Sequence, residues 1–247
     1  MRIAAIQCAA IDDDLDGACQ VIVQRLHWAA AQAIDLLVFP EAFLLGHSYD
    51  AQTIRRRARQ ASEAALDVLC RHVAGFETTL VIGAFELRPP HVFNSALVVE
   101  HGRITGRYAK AHPNEPVVSA GRDFPTFLRS GLRYGINVCN DANHADAAAR
   151  IAAQGAALIV YPLNNMLPPQ TAARWRARSL QNLVDRARQT HCWIASADVT
   201  GMANGHVSYG CTAIVAPDGR IVARVPESSE GAAVYDVPKP PPAATRG

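Results

Sequence analysis

Short runs of mostly apolar residues, each stopped by a proline, a cysteine or an acid, constrain this chain most. Leu36-Leu37-Val38-Phe39 ends at Pro40 and Glu41, and Leu132 to Val138 ends at Cys139. Ala156 to Tyr161 ends at Pro162, and Cys192 to Ala197 ends at Asp198. Runs of this length and composition read as buried strands. Helical patterns lie between them. Asp12 to Asp14 can cap a helix over 15–33, with Val21, Ile22, Leu26 and Trp28 as its apolar stripe. Further helices are expected over 51–74, 145–154 and 174–189. Ile3 to Ala9 and Thr79 to Glu86 add strands, and two hairpins turn at His101-Gly102-Arg103 and Pro217-Asp218-Gly219. The alternation specifies an α/β fold with mixed strand pairing. One domain is expected over 1–237, followed by a Pro- and Ala-rich tail over 238–247 that reads as a flexible arm.

At 247 residues the chain can bury a large core, and 49% hydrophobic against 19% charged residues suits a compact enzyme. A net charge of +2 is too mild to argue for nucleic acid. No apolar run approaches the roughly 20 residues a bilayer requires, so no membrane partner is expected. The first residues read as a strand rather than a secretory signal. Six cysteines lack C-x-x-C spacing, which suggests neither a zinc site nor a disulfide framework. A reducing cytoplasm is the expected compartment.

Four residues are odd for their settings. Glu41 follows a purely apolar strand, where most acids are solvated turn residues. Lys110 ends a hairpin strand, where a lysine commonly guards an edge. Glu115 sits in a loop, a surface setting by default. Cys139 ends a strand ahead of a helix, a place that favours thiolate and can stabilise an oxyanion, although buried cysteines are commonly inert. Their order, Glu, Lys, Glu, Cys, places each at or just past a strand end. In α/β sheets such ends gather at one rim, where sites form.

These residues carry a family resemblance. Val38-Phe39-Pro40-Glu41 resembles the first signature of the nitrilase, or carbon–nitrogen hydrolase, superfamily. Phe93 to Val99, Gly102-Arg103-Ile104 and Arg107-Tyr108-Ala109-Lys110-Ala111-His112 resemble the second, and Gly135 to Asp141 the third. Gly210 to Gly219 is similar to the C-terminal hairpin of the family. The resemblance implies a four-layer α-β-β-α sandwich, usually assembled as a homodimer or larger homo-oligomer. It implies Cys139 as nucleophile, Glu41 as general base, Lys110 with the Asn140 backbone N–H at the oxyanion, and Glu115 orienting lysine and substrate. A cysteine thioester would form and be hydrolysed, with neither metal nor organic cofactor required. The substrate expected is a small amide or N-carbamoyl compound. A nitrile is the alternative, as is a silent relative kept for binding.

Several positions depart from the family pattern. Asn140-Asp141 is similar to the carbamoylase branch, but Ala142-Asn143-His144-Ala145-Asp146 stands where that branch carries an Arg-Arg-Trp-Pro-Glu-like run. His47 replaces a frequent tyrosine and reads equally as a pocket residue or a hydrogen-bonded structural one. Asn164 and Asn165 read equally as pocket residues or turn formers. Trp175 reads as core or dimer packing. Arg174, Arg176 and Arg178 could grip a carboxylate, but a solvated face is the safer reading. Arg55, Arg56, Arg57 and Arg59 likewise read as a solvated face.

Overall fold

The structure, a computed structural model, describes residues 1–239, so residues 240–247 of the expected tail lie outside the described residues. Its first half runs β1 (Arg2–Ala9), α1 (Leu15–Ala31), β2 (Leu36–Val38), α2 (Ala51–Gln60), α3 (Leu66–Val73), β3 (Thr79–Arg88), β4 (His91–Glu100) and β5 (Arg103–Ala109). The second half runs β6 (Thr126–Arg129), β7 (Leu132–Ile136), α4 (Ala145–Ala153), β8 (Leu158–Pro162), α5 (Pro169–Thr190) and β9 (Trp193–Ala203). It closes with β10 (His206–Ser208), β11 (Ala213–Val215), β12 (Ile221–Arg224) and β13 (Gly231–Asp236).

Strands pair in the order β5-β4-β3-β2-β1-β9-β8-β7-β6, with β13 antiparallel to β1 and β11 joining β9 to β12. The apolar strands β1, β2 and β3 pair in parallel, as do β7, β8 and β9. The two halves are bridged by a short parallel pairing, Gln7 to Ala9 against Asp198 to Thr200. Three packed layers of side chains follow. Ile3, Leu36, Val81 and Val98 of one half pack against Ile136, Leu158, Ala195 and Ile214 of the other, sheet on sheet. Ile22 and Leu26 of α1 and Leu69 of α3 cover the outer face of the first half. Ile151 of α4 and Leu183 of α5 cover that of the second. This is the expected four-layer α-β-β-α sandwich.

The structure corrects several expected elements. The helix expected over 51–74 keeps its course but passes through a π-helical turn at Ala61–Ala65. The helix expected from Arg174 starts at Pro169, where a prolyl ring suits a first helical turn that needs no donor. The 201–205 segment, whose bounding glycines suggest a loop, is a hairpin: β9 and β10 turn at Asn204-Gly205, both with positive φ. Strands β6 and β13 had no clear sequence signal. Arg57 is not part of a solvated face. It is buried, with Nε 2.8 Å from Asp13 Oδ1 and Nη1 donating to the His47 carbonyl at 3.0 Å. That pairing holds the Asp13 carboxyl down at about 2. Arg174, Arg176 and Arg178 are exposed, as the solvated-face reading expects. Among the described residues no helix is long and apolar enough to cross a membrane.

Candidate active site

Glu41 stands where β2 gives out. Phe39 still donates to Val81 of β3, but the chain then leaves the sheet, and the Glu41 N–H donates to the Leu163 carbonyl at 3.0 Å. The Glu41 side chain is thereby held between the two sheets, 1% exposed. Lys110 follows β5 and is equally buried, its N–H on the Asn94 carbonyl at 2.9 Å. Glu115, expected at the surface, is buried as well. The loop beyond Lys110 folds inward because its carboxylate finds four donors there, which offsets the desolvation of a charge.

The ammonium of Lys110 lies 2.7 Å from Glu41 Oε1 and 2.7 Å from Glu115 Oε1. Asn94 of β4 donates its amide to the same two oxygens, 2.8 Å each. His47 Nε2 lies 2.9 Å from Glu115 Oε1, and the Asn114 N–H donates to Glu115 Oε2 at 3.0 Å. Glu41 Oε2, also buried, has no hydrogen-bond partner among the described residues. Burial alone would lift the Glu115 carboxyl, but His47 and Lys110 outweigh it and hold it well below the usual range. Burial likewise works against the Lys110 charge, and the carboxylates of Glu41 and Glu115 outweigh it, raising that pKa. Both shifts favour the ionised forms of Lys110 and Glu115.

Cys139 begins a one-turn 3-10 helix, Cys139–Asn143, with φ of 42°. A non-glycine residue in that region stores backbone strain, and such strain gathers at functional sites. The turn is held by Asp141. Its Oδ2 accepts from the Val138 N–H and the Tyr108 hydroxyl, 2.8 Å each, and Oδ1 accepts from the His112 N–H at 2.8 Å. One buried carboxylate therefore ties the cysteine turn to the loop after Lys110. The setting differs from the expected helix start. The α-helix begins only at Ala145, and burial together with the Glu41 charge pushes the Cys139 thiol well up, against the opposing Lys110 charge.

Cys139 opens into a cavity of about 290 Å³ whose walls include Tyr49, Asn140, Asn164, Asn165 and Trp175. Asn164 and Asn165 thus line the pocket. Asn165 is fixed by Asp198, which accepts from its N–H at 3.0 Å and its amide at 2.7 Å. The Asn140 amide is committed to the protein, donating to the His112 carbonyl at 2.8 Å, while its backbone N–H sits in a first turn that lacks internal partners. His47 faces Glu115 and lines a neighbouring cavity instead, one that shares Tyr49 and Asn164 with the first. Trp175 lines the Cys139 cavity rather than the core. Asn94, Asp141 and Tyr49 were missed as site residues. Asn94 carried a legible signal, since asparagine is depleted in strands and this one interrupts an apolar run.

With this geometry in place, comparison with known proteins is decisive at the level of family. The model of the family described as Carbon-nitrogen hydrolase matches residues 2–244. The chain belongs to the carbon–nitrogen hydrolase family. This hydrolase, an enzyme of the nitrilase superfamily, is 29% identical over 232 residues to a Pseudomonas protegens protein described as "Hydrolase in pqqF 5'region", covering 90% of this chain and 78% of the relative. It is 27% identical to an (R)-stereoselective amidase from a Pseudomonas species, over 90% of this chain and 80% of that one. Among solved structures, the fold is shared with an amidase from Nesterenkonia sp. (TM-score 0.85, 24% identity, covering 97% of this chain and 90% of that one). A mutant of that amidase carries the acetamide moiety of fluoroacetamide covalently added at its active-site cysteine.

Proposed function

We propose that this hydrolase cleaves the C–N bond of a small, uncharged carboxamide through a thioester on Cys139. The observation that carries the reading is the division of labour between the two oxygens of Glu41. Oε1 is tied to Lys110 and Asn94, while Oε2 is buried and free to take a proton. In the reaction Cys139 Sγ attacks the carbonyl carbon as its proton passes to Glu41. A concerted transfer suits a thiol held neutral. The oxyanion develops beside Lys110 and the Asn140 N–H. Glu41 then protonates the leaving nitrogen, ammonia or an amine departs, and a water deprotonated by Glu41 releases the acid and restores the thiol. Glu115 keeps Lys110 charged and placed.

The amidase names of the relatives support this chemistry, and so does the cysteine adduct of the structural neighbour. Substrate charge follows from the lining: among the described residues it holds no Lys, Arg or His. An N-carbamoyl amino acid would bring a carboxylate into this cavity without a partner, at a cost of several kcal/mol. Free cysteines support a cytoplasmic reading, and the family resemblance supports a homodimer or larger assembly.

The test is ammonia release by wild type and Cys139→Ala from neutral primary amides, ω-amides of dicarboxylic acids, N-carbamoyl amino acids and nitriles. Turnover of neutral amides that vanishes in the variant is the expected result. Turnover of nitriles alone would move the enzyme to the nitrilase reading, and activity retained by Cys139→Ala would end the thiol mechanism.

A further inference from the structure

We propose that His112, His144 and Asp146 form a binding site for a divalent transition metal, with Zn²⁺ as the ion the donor set suits. His144 and Asp146 belong to the Ala142–Asp146 run that departs from the family pattern, and the reaction above uses neither. His144 closes the cysteine turn and caps α4, Asp146 lies in the first turn of α4, and His112 comes from the loop two residues past Lys110. The two imidazoles stack with centroids 3.8 Å apart and planes 12° apart. His112 Nε2 lies 3.4 Å from Asp146 Oδ1, and one donor atom from each of the three residues falls within 4.8 Å of the others. His112 Nε2 is buried and has no hydrogen-bond partner among the described residues.

Two imidazole nitrogens and a carboxylate oxygen are a familiar zinc donor set, with bonds of about 2.0–2.2 Å and donors roughly 3.3 Å apart in a tetrahedron. The stacked rings aim their lone pairs along nearly parallel planes, so binding requires one imidazole to rotate out of the stack until both nitrogens face Asp146 Oδ1. Arg150 approaches the other carboxylate oxygen, Nε to Oδ2 at 3.8 Å, which leaves Oδ1 for the metal. Asp146 is solvent-facing, so water can enter as the fourth ligand. Occupancy has a structural consequence. The His112 N–H and the His144 N–H already donate to the side chain and carbonyl of Asp141, at 2.8 and 3.0 Å. A metal would lock the Lys110 loop to the cysteine turn at their outer ends.

The experiment is calorimetric titration of Zn²⁺ into full-length, untagged Cys139→Ala protein, a background that removes the thiol as a competing ligand. One ion per chain at micromolar concentration is expected, with affinity at least tenfold weaker in His144→Ala and in Asp146→Asn. Circular dichroism of the metal-free proteins checks that both changes leave the fold intact. The other cluster of suitable donors, Glu41, His47 and Glu115, is untouched by either substitution. Binding indifferent to both changes, or no binding up to about 100 µM, overturns the proposal.

Discussion

Gly83 of β3 lies directly beneath the turn that carries Glu41: a Cβ built on it would sit 2.2 Å from the backbone nitrogen of Ala42. The Glu41 carbonyl carbon and the Pro40 oxygen follow at 2.9 and 3.0 Å. All three are backbone atoms, so no side chain can swing aside. The turn is pinned from above too, since the Leu44 N–H donates to the Gly83 carbonyl at 3.1 Å. The absence of a side chain at one strand position therefore sets where the free oxygen of Glu41 points.

Gly83→Ala should lower kcat at least tenfold, because displacement on the order of 1 Å at a reacting group is costly. It should also destabilise the fold by about 1–3 kcal/mol, the usual cost of overpacking. Gly75→Ala is the control, with nothing among the described residues within 4 Å of its added carbon. Steady-state kinetics and denaturant unfolding of both variants decide the matter. Equal kinetics in the two would remove Gly83 from the account.

Asn94 is the neutral spacer between two carboxylates that share one ammonium. Asn94→Asp would set a third negative charge against Glu41 and Glu115, and a like charge raises a carboxyl pKa. The acid limb of the kcat/KM profile should therefore move to higher pH, with at least a hundredfold loss at pH 7. A profile of unchanged shape, only scaled down, would assign Asn94 to the fold alone.

Asp198 offers a test through stability. Its carboxyl is buried, and despite hydrogen bonds from Asn165 its pKa is pushed up to about 6. Folding raises the pKa of this acid, so between about pH 4 and 6 the folded chain binds more protons than the unfolded one. Stability from this group then falls as pH rises through that window, by about 3 kcal/mol once the carboxyl is fully ionised. Relative to Asp198→Asn, the wild type should lose stability from pH 4 to pH 7. Parallel unfolding curves across that range would contradict the raised pKa.

The parts of this site that could be read from the chain are those marked by strand ends. Glu41, Lys110 and Cys139 each stand at or just past a strand end, and the α/β alternation brings such ends to one rim. Glu115 needed the family motif, because nothing local says that its loop folds inward onto Lys110. The hydrogen bonds of Asn94 to two glutamates, and of Asp141 to Tyr108 and His112 some thirty residues away, exist only in the folded chain. The setting of the Cys139 thiol was hidden for the same reason: local sequence suggested a helix end, whereas in the folded chain burial and the nearby Glu41 charge push its pKa up. Arg57 hid among exposed arginines, its burial set by Asp13 some forty residues away. Strand β13, Gly-Ala-Ala-Val-Tyr-Asp, is held by its six-residue register with β1 rather than by any pattern of its own.

The central claim is that a covalent acyl group passes through Cys139. Acid quench of the wild-type enzyme during turnover of a neutral amide, followed by peptide mass spectrometry, tests it most directly. The expected result is a peptide containing Cys139 heavier by the acyl group of the substrate, absent when the substrate is omitted. Steady ammonia release with that peptide unmodified at every quench time, and an adduct elsewhere in the chain, would contradict it.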